Sequence, residues 1–168
     1  MNLNSTATIT GHVVAELFGP DGELKAHFEG DNLITNVGDR LYASRGAGLT
    51  TSNLPTGMRL GTGNTAVAKS GAGAAIVTYL ATSNKAFDAT YPSEAGGVVT
   101  YKRTYADGEA TSASAITEAV INTDTIANDN ATTATAANTI SRILLAGIGS
   151  KGALDSLVIT WTHTVLGA

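Results

Sequence analysis

Ser156-Leu-Val-Ile-Thr-Trp-Thr-His-Thr-Val165 is the stretch of sequence that decides the fold class. Leu157, Ile159 and Trp161 occupy alternate positions, His163 continues the series, and most of the residues between them are threonines. Because successive side chains of a strand point to opposite faces, this pattern predicts a β-strand with one apolar and one hydroxyl-rich face. The single tryptophan stands in the middle of the apolar face, so we predict that Leu157, Ile159 and Trp161 belong to the core.

The composition favours one strand-rich domain. The chain has 168 residues, of which 43% are hydrophobic, and this is enough to bury a core. Charged residues make up only 14% of the chain, well below the usual quarter or so. A net charge of −4 predicts no attraction to nucleic acid or to an anionic membrane. The absence of cysteine excludes a disulfide framework and a thiolate metal site.

The ends and apolar runs of the sequence carry no targeting signal. The first residues, Met-Asn-Leu-Asn-Ser-Thr, lack the basic start and apolar run of a signal peptide. No apolar run reaches the roughly 18 residues that a membrane helix needs. We therefore expect a soluble protein without its own export signal.

Alternation of apolar and polar residues predicts most of the remaining elements. A hairpin is predicted where two alternating runs flank the turn Gly19-Pro20-Asp21-Gly22. A turn is also predicted at 106–109, with the segment after it returning as the partner of the strand before it. Residues 124–139 lack an apolar face and are predicted to form a long exposed loop. The predicted strands cover residues 7–18, 24–29, 56–60, 75–82, 98–105, 111–122, 140–148 and 156–165.

One helix is predicted over residues 32–45. Leu33, Val37 and Leu41 recur there at helical spacing. Asn36 is the predicted cap of the part that begins at Val37, and Gly46 is the predicted stop.

Together these elements predict an all-β protein. The expected architecture is an antiparallel jelly-roll-like β-sandwich of about seven or eight short strands with one short helix. We expect residues 9–168 to form this single domain and residues 1–8 to form an extended N-terminal arm. The arm carries no charged side chain and little apolar weight and cannot fold alone, so it is predicted to lie along a neighbouring molecule. Its candidate interface residues are Asn2, Leu3, Asn4, Ser5 and Thr6.

One loop comes close to a nucleotide-binding motif. Gly63-Asn-Thr-Ala-Val-Ala-Lys69-Ser70 differs from the phosphate-binding P-loop at Ala68, where the second glycine should stand. The residues that follow it are a poor helix start. The spacing Gly61-x-Gly63-x-x-Ala66 also lacks the surrounding βαβ pattern of a dinucleotide site. We therefore predict a surface loop.

The sequence holds no catalytic constellation. It has no Gly-x-Ser-x-Gly nucleophile elbow, and its three histidines are isolated from one another. His12 and His27 fall on the polar face of the predicted hairpin and are expected to be solvated. Glu118 is the one carboxylate expected to be partly buried, as a hydrogen-bonded structural residue. We therefore predict a protein without enzymatic activity, cofactor or metal.

The order of five short motifs resembles that of small virion structural proteins of tailed bacteriophages. The resemblance covers most of the chain from Asn32 onward. It is carried by Asn32-Leu-Ile-Thr-Asn-Val-Gly38, Met58-Arg-Leu-Gly-Thr-Gly-Asn-Thr-Ala66, Ile116-Thr-Glu-Ala119, Ser141-Arg-Ile-Leu144 and Lys151-Gly-Ala-Leu-Asp-Ser-Leu-Val-Ile-Thr-Trp161.

The resemblance implies a function in the virion. Proteins of this kind occur as capsid decoration (cement) proteins, usually trimers, and as tail or fibre components. Our first hypothesis is a homotrimeric cement protein that is assembled in the host cytoplasm, binds the major capsid protein on the capsid surface and stabilises the shell. The alternative is a tail or baseplate fibre-associated protein. A carbohydrate-binding attachment module is a third hypothesis, and it would need exposed aromatic rings.

Overall fold

The structure is a computed structural model, and it describes residues 7–49, 54–126 and 135–167. Strands dominate it, and one α-helix is present in the described residues, so the all-β prediction is confirmed. The strands are β1 Ala7–Phe18, β2 Leu24–Ile34, β3 Gly57–Gly61, β4 Lys85–Ala86, β5 Ser93–Ala95, β6 Val98–Tyr105, β7 Glu118–Asn122, β8 Thr139–Leu144 and β9 Ser156–Gly167. The helix α1 spans Asn36–Gly46, and a 3-10 turn spans Gly71–Ala74.

The nine strands form one curled antiparallel sheet in the order β4-β3-β7-β8-β2-β1-β9-β6-β5. β2 belongs to both halves, because most of its length pairs with β1 while Leu33 and Ile34 pair with β8. The predicted sandwich is therefore present in its coarse form. Its layers are two halves of one sheet that share β2, rather than the two separate sheets of a jelly roll.

β9 is the centre of the first layer. It pairs with β1 over twelve residue pairs on one side and with β6 over eight on the other. Leu157, Ile159 and Trp161 point inward and are 0% exposed, as the alternation predicts. They pack in one core with Val13 of β1, Tyr105 of β6 and apolar residues of β3, β7 and β8.

The helix begins later than the spacing predicts. Leu33 and Ile34 complete β2, because their backbone is needed to pair with β8. The N-cap is Thr35, not Asn36: its Oγ1 accepts a 3.2 Å hydrogen bond from the N–H of Gly38.

Two predicted strands are wrong in part. Of the segment 111–122 only Glu118–Asn122 is a strand, and it pairs with β3 and β8 because both edges of β6 are already taken by β5 and β9. Of the segment 75–82 only Tyr79 makes a bridge, to Gly61. Residues 84–97, which lie outside the predicted strands, contain the short strands β4 and β5.

The ends of two other predicted segments also differ. Ala7 and Thr8 belong to both the predicted strand 7–18 and the predicted arm 1–8; they are the first residues of β1 and pair with β9, so the strand prediction is confirmed there. Two parts of the predicted segments lie outside the described residues, namely residues 1–6 of the arm and residues 127–134 of the loop. Thr139, at the end of that loop, starts β8.

We expect Trp161→Ala to lower the free energy of unfolding by about 3–5 kcal/mol, because it leaves a large cavity at the centre of the core. The matched control is Thr162→Ala on the other face of β9, with an expected cost of about 1 kcal/mol or less. Denaturant unfolding followed by circular dichroism measures both. Equal losses would contradict the placement of the ring.

Candidate functional site

A buried ion pair joins β7 to β8. The Nη2 of Arg142 lies 2.7 Å from the Oε2 of Glu118, and both side chains are fully buried. The sequence predicts a partly buried, structural Glu118, but not its partner. The available signal for this partner in the sequence is that Arg142 interrupts an otherwise apolar run. Because a buried carboxylate is costly unless it is paired and hydrogen-bonded, its other contacts matter.

Those contacts come from the loop that covers the pair. Glu118 Oε1 accepts hydrogen bonds from the N–H groups of Gly63, Val77 and Thr78 at 3.0, 3.1 and 2.9 Å. Arg142 Nη1 donates to the carbonyls of Thr65 and Gly73 at 2.8 and 3.1 Å. The carboxylate and the guanidinium therefore form the hydrogen bonds that the backbone groups of this loop would otherwise form with a neighbouring strand.

The near-P-loop is part of this arrangement. The N–H of Gly63, which a P-loop would offer to a phosphate, is donated to Glu118 instead. A Cβ added at Gly61 or at Gly63 would lie 2.5 Å from Glu118 Oε1. Because they have no side chain, Gly61 and Gly63 leave room for the carboxylate of Glu118.

A second polar cluster ties α1 to the first layer. The Tyr42 hydroxyl lies 2.7 Å from His163 Nδ1 and 3.1 Å from the Tyr101 hydroxyl. Burial lowers the pKa of His163 to about 3, so the ring is neutral at pH 7. Burial also raises the pKa values of Tyr42 and Tyr101. All three groups are therefore uncharged around neutral pH and serve as hydrogen-bonding partners.

The hairpin carries an exposed histidine cluster. His12 lies 2.9 Å from Asp31 and 3.0 Å from Glu29, and His27 lies 3.8 Å from Glu29. The hydrogen bond with Asp31 is the largest cause that raises the pKa of His12, and Glu29 adds to it. The histidine side chains are 41% and 44% exposed, so both are solvated. In the part of the chain that the structure describes, no group of His, Asp or Glu residues is placed to hold a metal ion.

The outer side of the first layer is poor in charge. Val14, Thr160 and Lys102 are direct neighbours across β1, β9 and β6, as are His12, Thr162 and Thr100 one step along. Glu16, His12 and Lys102 are the ionisable residues on the outward positions of β9 and of the parts of β1 and β6 that pair with it. We call the uncharged part of this surface the threonine face; it consists of Thr10, Val14, Val98, Thr100, Val158, Thr160, Thr162 and Thr164.

The structure does not describe the predicted interface residues. Asn2, Leu3, Asn4, Ser5 and Thr6 lie outside the described residues. Leu157, Ile159 and Trp161 lie directly behind the threonine face and support it from the core. Within the described ranges, no helix is long and apolar enough to cross a membrane.

Comparison with known proteins finds no match: no family model, curated protein or solved structure is similar to this chain.

We expect Glu118→Ala to destabilise the fold by about 3–5 kcal/mol, because it leaves a buried, uncompensated guanidinium and frees three amides. The double variant Glu118→Leu/Arg142→Met should cost less than the sum of Glu118→Leu and Arg142→Met measured separately, since it removes both charges. Denaturant unfolding measures the cycle. The control is Lys69→Gln, which removes an exposed ion pair with Asp39 that contributes about 1 kcal/mol or less. Additive losses would contradict the pairing.

We expect acid to weaken the fold through His163. The unfolded chain takes up a proton near pH 6.5, whereas the folded chain resists it until about pH 3. The free energy of unfolding should therefore fall as the pH falls through this window, by up to about 1.4 kcal/mol per pH unit. His163→Gln should flatten the slope between about pH 6.5 and 5, where the other histidines contribute equally to both proteins. Identical slopes would contradict the assignment.

Proposed function

We propose that this protein is a bacteriophage virion structural protein, a capsid cement protein that binds the assembled shell as a homotrimer and stabilises it. Its partner is the major capsid protein and its location is the capsid surface. The observation that carries the proposal is the threonine face: a three-stranded outer surface of hydroxyls and small apolar groups around the rigid strand β9.

Such a surface suits contact with other proteins. Hydroxyl groups cost less to bury than Lys or Glu side chains, and protein interfaces are depleted of charge at their centres. Twelve residue pairs with β1 and eight with β6 hold β9 in place, so little order has to be gained on binding. Three copies in one trimer would add weak contacts into high avidity for a shell.

The bacteriophage-like motifs support the same proposal. Their residues include Gly61, Gly63, Glu118 and Arg142, which form the buried pair and its covering loop. Lys151 and Asp155 of the last motif are buried as well, and Lys151 donates to the carbonyl of Ala106 at 2.9 Å. Several residues of these motifs thus build the scaffold that supports the outer surface.

The proposal includes no enzymatic activity, cofactor, nucleic acid or membrane. A carbohydrate-binding module is less well supported, because the single Trp161 is 0% exposed and offers no ring to a sugar. A tail or baseplate location would use the same scaffold, and it is an outcome of the test below.

We expect the purified protein to co-sediment with expanded, undecorated capsids and not with purified tails. Thr162→Arg, which places a charge at the centre of the threonine face, should weaken capsid binding by about tenfold or more, which is about 1.4 kcal/mol. Thr111→Arg is the matched control on an exposed loop and should bind as the wild type does.

Binding to tails rather than capsids would refute the cement assignment and favour the fibre alternative. Capsid binding that Thr162→Arg and Thr111→Arg weaken equally would exclude the threonine face as the contact.

A further inference from the structure

One end of β1 has an open edge. β1 and β2 pair from Phe18 back to Gly11, which is opposite Asn32. There β2 turns away to pair with β8, while β1 continues to Ala7. Within the described residues, the stretch from Ala7 to Thr10 is therefore paired with β9 alone.

The direction of the backbone groups follows from β9. Val165 donates its N–H to the carbonyl of Gly97 at 2.8 Å, on the β6 side. Its opposite residue on β1 is Ile9, whose N–H and C=O must therefore point away from β9, to the open edge. No other described residue forms a hydrogen bond with these two groups. An unpaired strand edge of this kind is a template for another strand.

A groove lies along this edge. Two cavities of about 470 and 570 Å³ share Ile9 and Lys69 and run from the point where β1 and β2 separate to the side of α1. Ile9, Val165, Tyr42 and Ala43 give the second cavity an apolar lining. At its rim, Lys69 is already paired with Asp39 at 2.7 Å. Because neither charge needs a further partner, an occupant without charged side chains fits the site. We call these lining residues the edge groove.

We propose that the edge groove binds residues 1–6 of a second copy of this chain, which add a strand to β1. This segment has no charged side chain, and its alternation places Met1 and Leu3 on one face and Asn2 and Asn4 on the other. In the groove, Leu3 packs against Ile9 and Val165 while the asparagines face solvent. Six extended residues span about 20 Å, more than the roughly 14 Å of four strand residues.

A second copy fits better than the same chain. To reach its own edge, the segment would have to reverse at Ser5-Thr6 in a two-residue hairpin turn. Such turns favour glycine and asparagine, which accept positive φ readily, whereas a β-branched threonine adopts it only at a cost, as Thr82 and Thr90 do elsewhere in this chain. An arm that leaves one copy and enters the next makes a head-to-tail contact, and such contacts form a ring when the rotation from copy to copy closes, as it would in a trimer. The inference thus rests on the homotrimer proposed above and supplies its contact.

Leu3→Asp tests the arm and Asn2→Asp is its matched control, since both add one negative charge to the same segment. Sedimentation of the protein without capsids should show a trimer for the wild type and for Asn2→Asp, and a folded monomer for Leu3→Asp. Ile9→Pro removes both the donor at the open edge and the side chain that Leu3 packs against and should also give monomer, whereas Ile9→Val keeps the donor and a β-branched side chain and should stay trimeric. A monomeric wild type, or a trimer that survives Leu3→Asp, would overturn the inference.

Covalent capture shows which copy supplies the arm, because the chain has no cysteine of its own. A Leu3→Cys copy is mixed with an Ala43→Cys copy of different mass and oxidised, so the mixed disulfide can form only between copies. The expected yield is several times that of Asn2→Cys mixed with Ala43→Cys. Equal yields would overturn the placement of Leu3.

The two proposals fail separately. Trimers that require Leu3 but ignore capsids would refute the cement function and leave arm exchange standing. A protein that sediments as a monomer and binds capsids, with or without Leu3→Asp, would refute arm exchange and the trimer and leave shell binding standing.

Discussion

The buried pair of Glu118 and Arg142 is the interaction on which the second layer depends. The two residues lie on neighbouring strands, where Arg142 is paired with Val120, two residues along from Glu118. Neither charge would be tolerated in the interior without partners, and the covering loop supplies them as backbone N–H and C=O groups. The loop in turn has no strand ladder of its own. Carboxylate, guanidinium and loop are therefore stable only together.

A different polar tie holds the first layer to the helix. Tyr42 reaches from α1 to His163 on β9 and to Tyr101 on β6. These groups are neutral, so the tie costs less to bury than the ion pair. Both ties lie inside the molecule, away from the outer side of β9. This division leaves the threonine face available for partners.

Local patterns in the sequence predict much of the fold. Alternation predicts β1, β2, β6 and β9 and the burial of Trp161, because a strand with one buried face repeats every two residues. Alternation does not identify which strands pair. The turn at 106–109 therefore predicts that segment 111–122 pairs with β6, whereas Glu118–Asn122 lies between β3 and β8.

The boundaries and the candidate site depend on distant residues. Leu33 and Ile34 have helical spacing, but they lie in β2 and pair with β8. The helix therefore begins after them, and Thr35 is its N-cap. Glu118 was recognised as a structural carboxylate, yet its partner stands 24 residues away. The open edge beside Ile9 could not be predicted either, since it arises where β2 leaves β1 for β8. Such features are set by tertiary contacts rather than by local sequence.

The central claim is that this chain is part of a phage capsid surface, and an image of the virion tests it most directly. Virions assembled with a labelled copy of the protein would be imaged by electron microscopy. We expect the label over the capsid, repeated where major capsid subunits meet, and none along the tail. Label confined to the tail or baseplate, or absent from intact virions, would contradict it.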